Sequence, residues 1–162
     1  MTVSPHWICL IRMQPAKLLV SAYEEPDMAT VKLWTDEQAA RDPRVNAVFE
    51  DIRSTRKSDF INNFWRALAN QPALLERTWS SVKQVMIEPG VLDPLTRELI
   101  YIAISTANSC SYCIHSHTAS ARAKGLSSEQ HAELLSIIGM AAETNALATA
   151  LQIPVDPEFL IE

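Results

Sequence analysis

Asp93-Pro94-Leu95-Thr96-Arg97-Glu98-Leu99-Ile100-Tyr101-Ile102-Ala103-Ile104-Ser105-Thr106-Ala107 is either a buried strand or a buried helix, and the class of the whole chain turns on which. The apolar residues 99–104 fit both, because a short apolar run has no usable period. The flanks separate the two readings. Asp93 before Pro94 is a helix start: a capping carboxylate, then a proline at the first helical position, where the N–H it lacks has no partner anyway. The pattern runs on to Ala107, longer than an ordinary strand, and no convincing partner strand occurs elsewhere. The run therefore reads as a helix, apolar all round and so expected to be buried centrally.

The same signals recur on both sides. Thr35 and Gln38 have capping-box spacing, and Asp42-Pro43 repeats the cap-and-proline start before an apolar face of Val45, Val48, Phe49 and Ile52. Ser58 or Asp59 is expected to cap a third helix carrying Phe60, Ile61, Phe64, Trp65 and Leu68. Pro72 opens a fourth with Leu75, Trp79, Val82 and Met86 at helical spacing, and Pro89-Gly90 stops it. After the central helix, Asn108 and Ser109 offer a break and a new cap for a helix running to Lys124, which Gly125 closes. Ser127 and Gln130 form another capping box before a last helix to about Leu151, and Pro154 and Pro157 mark an irregular tail. The expected fold is all-α, a single-domain helical bundle of about six to seven helices over residues 28–162.

Residues 1–27 stand apart. Arg12, Pro15 and Lys17 interrupt their apolar stretches, so nothing there spans a bilayer. Val20-Ser21-Ala22 resembles a signal cleavage site, but the basic start and clean apolar centre are missing. A loose N-terminal arm, or a misread start, is the expectation. The whole chain has 162 residues, 14 basic and 19 acidic, with a net charge of −5 and no block of Lys or Arg. That excludes the electrostatic footprint of a nucleic-acid or anionic-membrane binder and leaves small molecules or proteins as partners. Three cysteines, one of them the odd Cys9, are too few for a secreted disulfide scaffold and fit a reducing cytoplasm.

The chemistry gathers just past the central helix, in Cys110-Ser111-Tyr112-Cys113-Ile114-His115-Ser116-His117. On a helix, Cys110, Cys113 and His117 fall within roughly 60° of one another, whereas His115 points about 140° away from Cys110. Sulfurs one turn apart sit slightly wider than a relaxed disulfide prefers, which suits a pair that opens and closes. The unpaired N–H groups at the helix start favour a thiolate at Cys110, while His117, one turn beyond Cys113, is placed to take or relay a proton. Glu98, followed directly by the apolar run, is expected to be at least partly buried and in want of a partner, and orienting a histidine would give it one. A structural zinc held by Cys110, Cys113 and His117 is the lesser reading, because no second Cys-x-x-Cys or His-x-x-x-His completes four ligands.

Together, Glu98, the apolar helix after it, Ala107-Asn108-Ser109-Cys110-Ser111-Tyr112-Cys113, His117 and the Ala-Lys-Gly-Leu-Ser exit at 123–127 resemble the alkylhydroperoxidase D-like branch of the carboxymuconolactone decarboxylase superfamily. The resemblance implies an all-helical subunit of that type, assembling into trimers or hexamers with the cysteine pair near a subunit interface. It implies catalysis by Glu98, His117, Cys110 and Cys113: a Glu-His relay activates the thiols, hydroperoxide is reduced through a sulfenic acid, and the second cysteine closes a disulfide. No bound cofactor is implied; an external dithiol of the lipoyl type would reset the pair. Proximity to His117 assigns the peroxide-reacting thiolate to Cys113, with Cys110 resolving, although the helix terminus favours the reverse. Some relatives carry histidine where this chain has Tyr112, so Tyr112 is an auxiliary candidate for the proton path. A disulfide reductase or adaptor that recharges a peroxiredoxin partner is the alternative function. The decarboxylase branch works without a cysteine pair, which argues against lactone decarboxylation here.

Overall fold

The computed structural model describes residues 29–160. The expected arm over 1–27, with Cys9, lies outside the described residues. Thr35 Oγ1 accepts from the Gln38 N–H and Gln38 Oε1 from the Thr35 N–H, opening α1 (Asp36–Ala39). Asp42 Oδ1 accepts from the N–H groups of Arg44 and Val45, opening α2 (Pro43–Arg56), whose Val45, Val48, Phe49 and Ile52 are all buried. Both starts follow from short side chains filling the unpaired N–H groups of a first helical turn.

The third helix starts later than the sequence suggests. Ser58 Oγ is drawn into a local turn, accepting from the Phe60 N–H, and Asn62 is the residue that enters α3 (Asn63–Leu68). The preceding segment lies outside any helix, with Ile61 in the core and Phe60 left exposed. α4 (Pro72–Val82) runs into a π-helical turn (Lys83–Ile87), closed by the Glu88 N–H on the Lys83 carbonyl. Helices α1 to α4 share one core built on Phe49, Ile52, Ile61, Trp65, Leu75 and Trp79, with Trp65 and Trp79 edge to face at 5.4 Å. Burial of such side chains is the main favourable term in folding.

Asp93 caps α5 (Pro94–Ala107) through the N–H groups of Leu95 and Thr96. The chain then folds back through Ser109, whose φ of 55° reverses its direction, into α6 (Ser111–Ala123). Gly125, at φ 95°, ends α6 in a Schellman motif: its N–H meets the Arg122 carbonyl, and the Leu126 N–H meets the Ala121 carbonyl. Ser127 and Gln130 then open α7 (Ser128–Ala150) with the expected capping box. Ile102, Ala121 and Leu126 form a second, smaller core against Leu95, Leu99 and Leu134.

The fold is all-α, with no strand among the described residues. One expectation is corrected: α5 is not buried all round. Ile102 is enclosed, but Ile100 and Ile104 are 44% and 54% exposed, because α6 and α7 cover only part of its circumference. α7 likewise has no buried residue. Arg97 ties the α4–α5 connection in place by donating to the carbonyls of Val85, Glu88 and Leu92. Its guanidinium passes over Gly90 where a Cβ would collide with it. No helix among the described residues is long and apolar enough to cross a membrane.

Candidate active site

The antiparallel pair α5 and α6 builds the site. Cys110 is the N-cap of α6, outside the helical path at φ −90° and ψ 89°, and its sulfur accepts from the Cys113 N–H at 3.4 Å. Because Cys110 leaves the helix there, the two sulfurs approach to 2.7 Å, nearer than one turn of a regular helix would bring them. Both cysteines are free and half-buried. The cap is therefore the first cysteine itself, not Ser109. The hydrogen bond from the Cys113 thiol, and then the Cys113 N–H, lowers the Cys110 thiol from its ordinary value. Burial, and then the neighbouring Cys110, pushes Cys113 up to about 11. In the resting pair the first negative charge belongs on Cys110, and Cys113 keeps its proton.

Glu98 is 4% exposed on the face of α5 that meets α6. His117 Nδ1 lies 2.6 Å from Glu98 Oε2, while Ser120 Oγ and Lys124 Nζ each donate to Glu98 Oε1 at 2.8 Å. Burial by itself would raise this carboxyl. The hydrogen bonds from His117, Lys124 and Ser120 outweigh burial and hold it at about 2. An ionised carboxylate on Nδ1 fixes the tautomer with its proton there and leaves Nε2 as the basic nitrogen. Tyr101 stacks on the imidazole at 3.6 Å between centroids, 19° from parallel, so the ring is held on its flat side as well as by its edge. Burial, and then the nearby cysteines and Glu98, raises the Tyr101 phenol above its ordinary value.

The structure thus joins Glu98 to His117 and Cys110 to Cys113. Between these two pairs there is no hydrogen bond among the described residues: His117 is bonded to Glu98 and to neither sulfur. Tyr112 does something its sequence position does not announce. Its phenol oxygen accepts from Asn62 Nδ2 at 3.0 Å and from the Phe64 N–H at 3.1 Å. Asn62 makes no capping bond of its own, so Tyr112 fills the start of α3 from across the molecule. Behind it, Arg56 lies over the rings of Trp65 and Trp79, and burial lowers its guanidinium from the ordinary value.

Sequence reasoning missed Ser120, Lys124 and Tyr101. For the first two the signal was present: positions 110, 113, 117, 120 and 124 alternate steps of three and four, one continuous stripe along α6. His115 is exposed, off that stripe. Among the described residues no group of three or more His, Cys, Asp or Glu side chains is gathered to hold a metal ion, so the zinc reading has no ligand set there.

The sequence and the fold are similar to those of known proteins. Residues 73–156 match the carboxymuconolactone decarboxylase family. Uncharacterized protein 4 in the cox locus of Paracoccus denitrificans is 31% identical over 96 residues, 59% of this chain and 80% of that protein. The crystal structure of the alkylhydroperoxidase AhpD core from Rhodospirillum rubrum superposes with a TM-score of 0.82 at 67% identity, over 83% of this chain and 99% of that one.

Proposed function

Because this chain belongs to the carboxymuconolactone decarboxylase family, in its alkylhydroperoxidase D-like branch, we propose that it is a thiol-dependent hydroperoxide reductase of the antioxidant type. The observation that carries this reading is the touching thiol pair one turn from an imidazole oriented by a buried carboxylate. His117 takes the proton that leaves the thiol pair, and the Cys110 thiolate attacks the terminal oxygen of the hydroperoxide. The O–O bond breaks, Cys110 becomes a sulfenic acid, and the departing alkoxide takes the Cys113 thiol proton to leave as the alcohol. The Cys113 thiolate then attacks the Cys110 sulfur, closing the disulfide, and the released hydroxide takes the His117 proton to leave as water. Hydroperoxide and two thiols become alcohol, water and a disulfide. An external dithiol of the lipoyl type restores the pair by exchange.

This order reverses the expectation that Cys113 meets the peroxide, and it rests on Cys110 having the lowered thiol and the N–H donor. The chain is further proposed to act as a homo-oligomer, because α5 and α7 present Ile104, Leu135, Met140 and Leu147 to solvent in the single protomer; a trimer or hexamer is what the resemblance implies. The test is hydroperoxide consumption with a dihydrolipoyl donor. Wild type turns over; Cys110→Ser and Cys113→Ser each lose roughly a hundredfold or more, and a sulfenic acid is trapped in Cys113→Ser. Equal rates in wild type and variants defeat the reading, and a sulfenic acid found only in Cys110→Ser restores the order with Cys113 first. The alternative, a disulfide reductase recharging a peroxiredoxin, is supported by the half-buried Cys110 lying two residues before Tyr112, whose exposed ring is 6.4 Å from that of the exposed Phe64. It predicts no peroxide consumption by the isolated protein and a mixed disulfide trapped through a single remaining cysteine.

A further inference from the structure

The Glu98 carboxylate is divided between its oxygens. Oε2 faces His117 alone, while Oε1 takes Ser120 Oγ and Lys124 Nζ, which also donates to Ser120 Oγ at 2.6 Å. Lys124 is the C-cap of α6, and it reaches back one turn to Ser120 and across to α5. Gly125 lets the chain turn away immediately after it. A carboxylate serving only to orient His117 would need one oxygen. The second is occupied by a fixed cation, with a hydroxyl bonded to both.

We propose that Lys124 is a positioning residue that keeps Glu98 ionised while His117 works, so that the thiol proton stops at His117 and Lys124 sets the pH at which it can be taken. This rests on the thiol-redox reading of the site. It departs from a relay in which Glu98 itself receives the proton. The carboxyl held at about 2 fits an acceptor already saturated with donors. Groups facing the cluster are, on α6, Cys110, Cys113, His117 and Lys124; on α5, Glu98 and the Tyr101 phenol stacked on the imidazole; and from α2, Arg56, which interacts electrostatically with Glu98 and Tyr112. Removing the Lys124 charge makes loss of a proton from the His117 and cysteine cluster harder, whichever atom gives it up, because a nearby cation stabilises the deprotonated state.

The experiment follows two pH curves in the full-length protein: the rate of thiol alkylation by iodoacetamide, and the histidine titration that disappears in His117→Ala. In Lys124→Met both midpoints rise together by about one pH unit, so alkylation near the wild-type midpoint slows roughly five- to tenfold. Lys124→Arg restores both curves. Lys124→Gln, which keeps a polar side chain without the charge, reproduces the rise and covers the case in which Lys124→Met does not fold. Curves in Lys124→Gln that superpose on wild type overturn the proposal. So does a histidine curve that moves while alkylation does not, since that is what a purely structural ion pair would give. Alkylation needs no peroxide, so a protein that fails to consume hydroperoxide leaves this result readable.

Discussion

Helices α1 to α4 and helices α5 to α7 solve opposite problems with similar amounts of chain. The first four enclose a core in which Phe49, Ile52, Ile61, Trp65 and Leu75 are at most 2% exposed. The last three bury far less apolar surface, and a charged side chain, Glu98, is among what they do bury. The cysteines, the histidine and the lysine all project from the sparsely packed half. A buried carboxylate needs donors near it, and donors need a route to solvent, so the chemistry sits where the core is thin. The dense half acts as a foundation to which the reactive half is attached through Tyr112 on Asn62 and Phe64, and through Arg97 on the carbonyls of the connection.

If that division is correct, damage to the foundation should change stability without changing the chemistry. Phe49→Ala is expected to cost about 3–5 kcal/mol in urea unfolding. Under folding conditions the pH profile of thiol alkylation should stay as in wild type. A displaced profile would break the comparison, because it would mean that core packing reaches the sulfurs.

Glu98→Gln tests the other half. The Glu98 carboxyl is held at about 2, below its ordinary 4.5. It therefore contributes stability that is fully present above about pH 4.5 and is lost as the pH falls towards about 2. The full contribution is about 3 kcal/mol by proton linkage. Wild-type stability should fall through that window, and Glu98→Gln should be less stable at neutral pH and flatter below it. Matching acid slopes in the two proteins would remove Glu98 from the account.

The smallest effect is expected at the joint between the halves. Tyr112→Phe removes the oxygen that receives the Asn62 amide and the Phe64 N–H, and should cost about 1 kcal/mol. Amide exchange should report the loss at Phe64 before it appears elsewhere. Loss of protection first within α6 would instead make Tyr112 a support for the cysteine turn.

Local signals reached most of this architecture. Thr35, Asp42, Asp93 and Ser127 announce their helices because the capping atoms and the N–H groups they fill lie within three residues of each other. The start of α3 was not legible, since its cap comes from residue 112 and no local pattern encodes a partner so distant in sequence. The exposure of α5 was misread for a related reason. An apolar circumference says that burial is wanted, not whether the same protomer provides it. Within the site, spacing brought Glu98, Cys110, Cys113 and His117 to attention. Ser120 and Lys124 carry no signal of their own, because a serine and a lysine gain meaning only once the carboxylate they serve is seen beside them.

The Arg97 guanidinium has a consequence for how the α4–α5 connection would look to different observers. It binds carbonyl oxygens at Val85, Glu88 and Leu92, whereas the amides of Gly90, Val91 and Leu92 donate no backbone hydrogen bond among the described residues. A segment anchored by its acceptors alone keeps its position while its amide protons stay open to water. Deuterium uptake would mark this stretch as loose, and order parameters would mark it as fixed. Both would be correct, because one reports the solvation of the N–H groups and the other the motion of the chain.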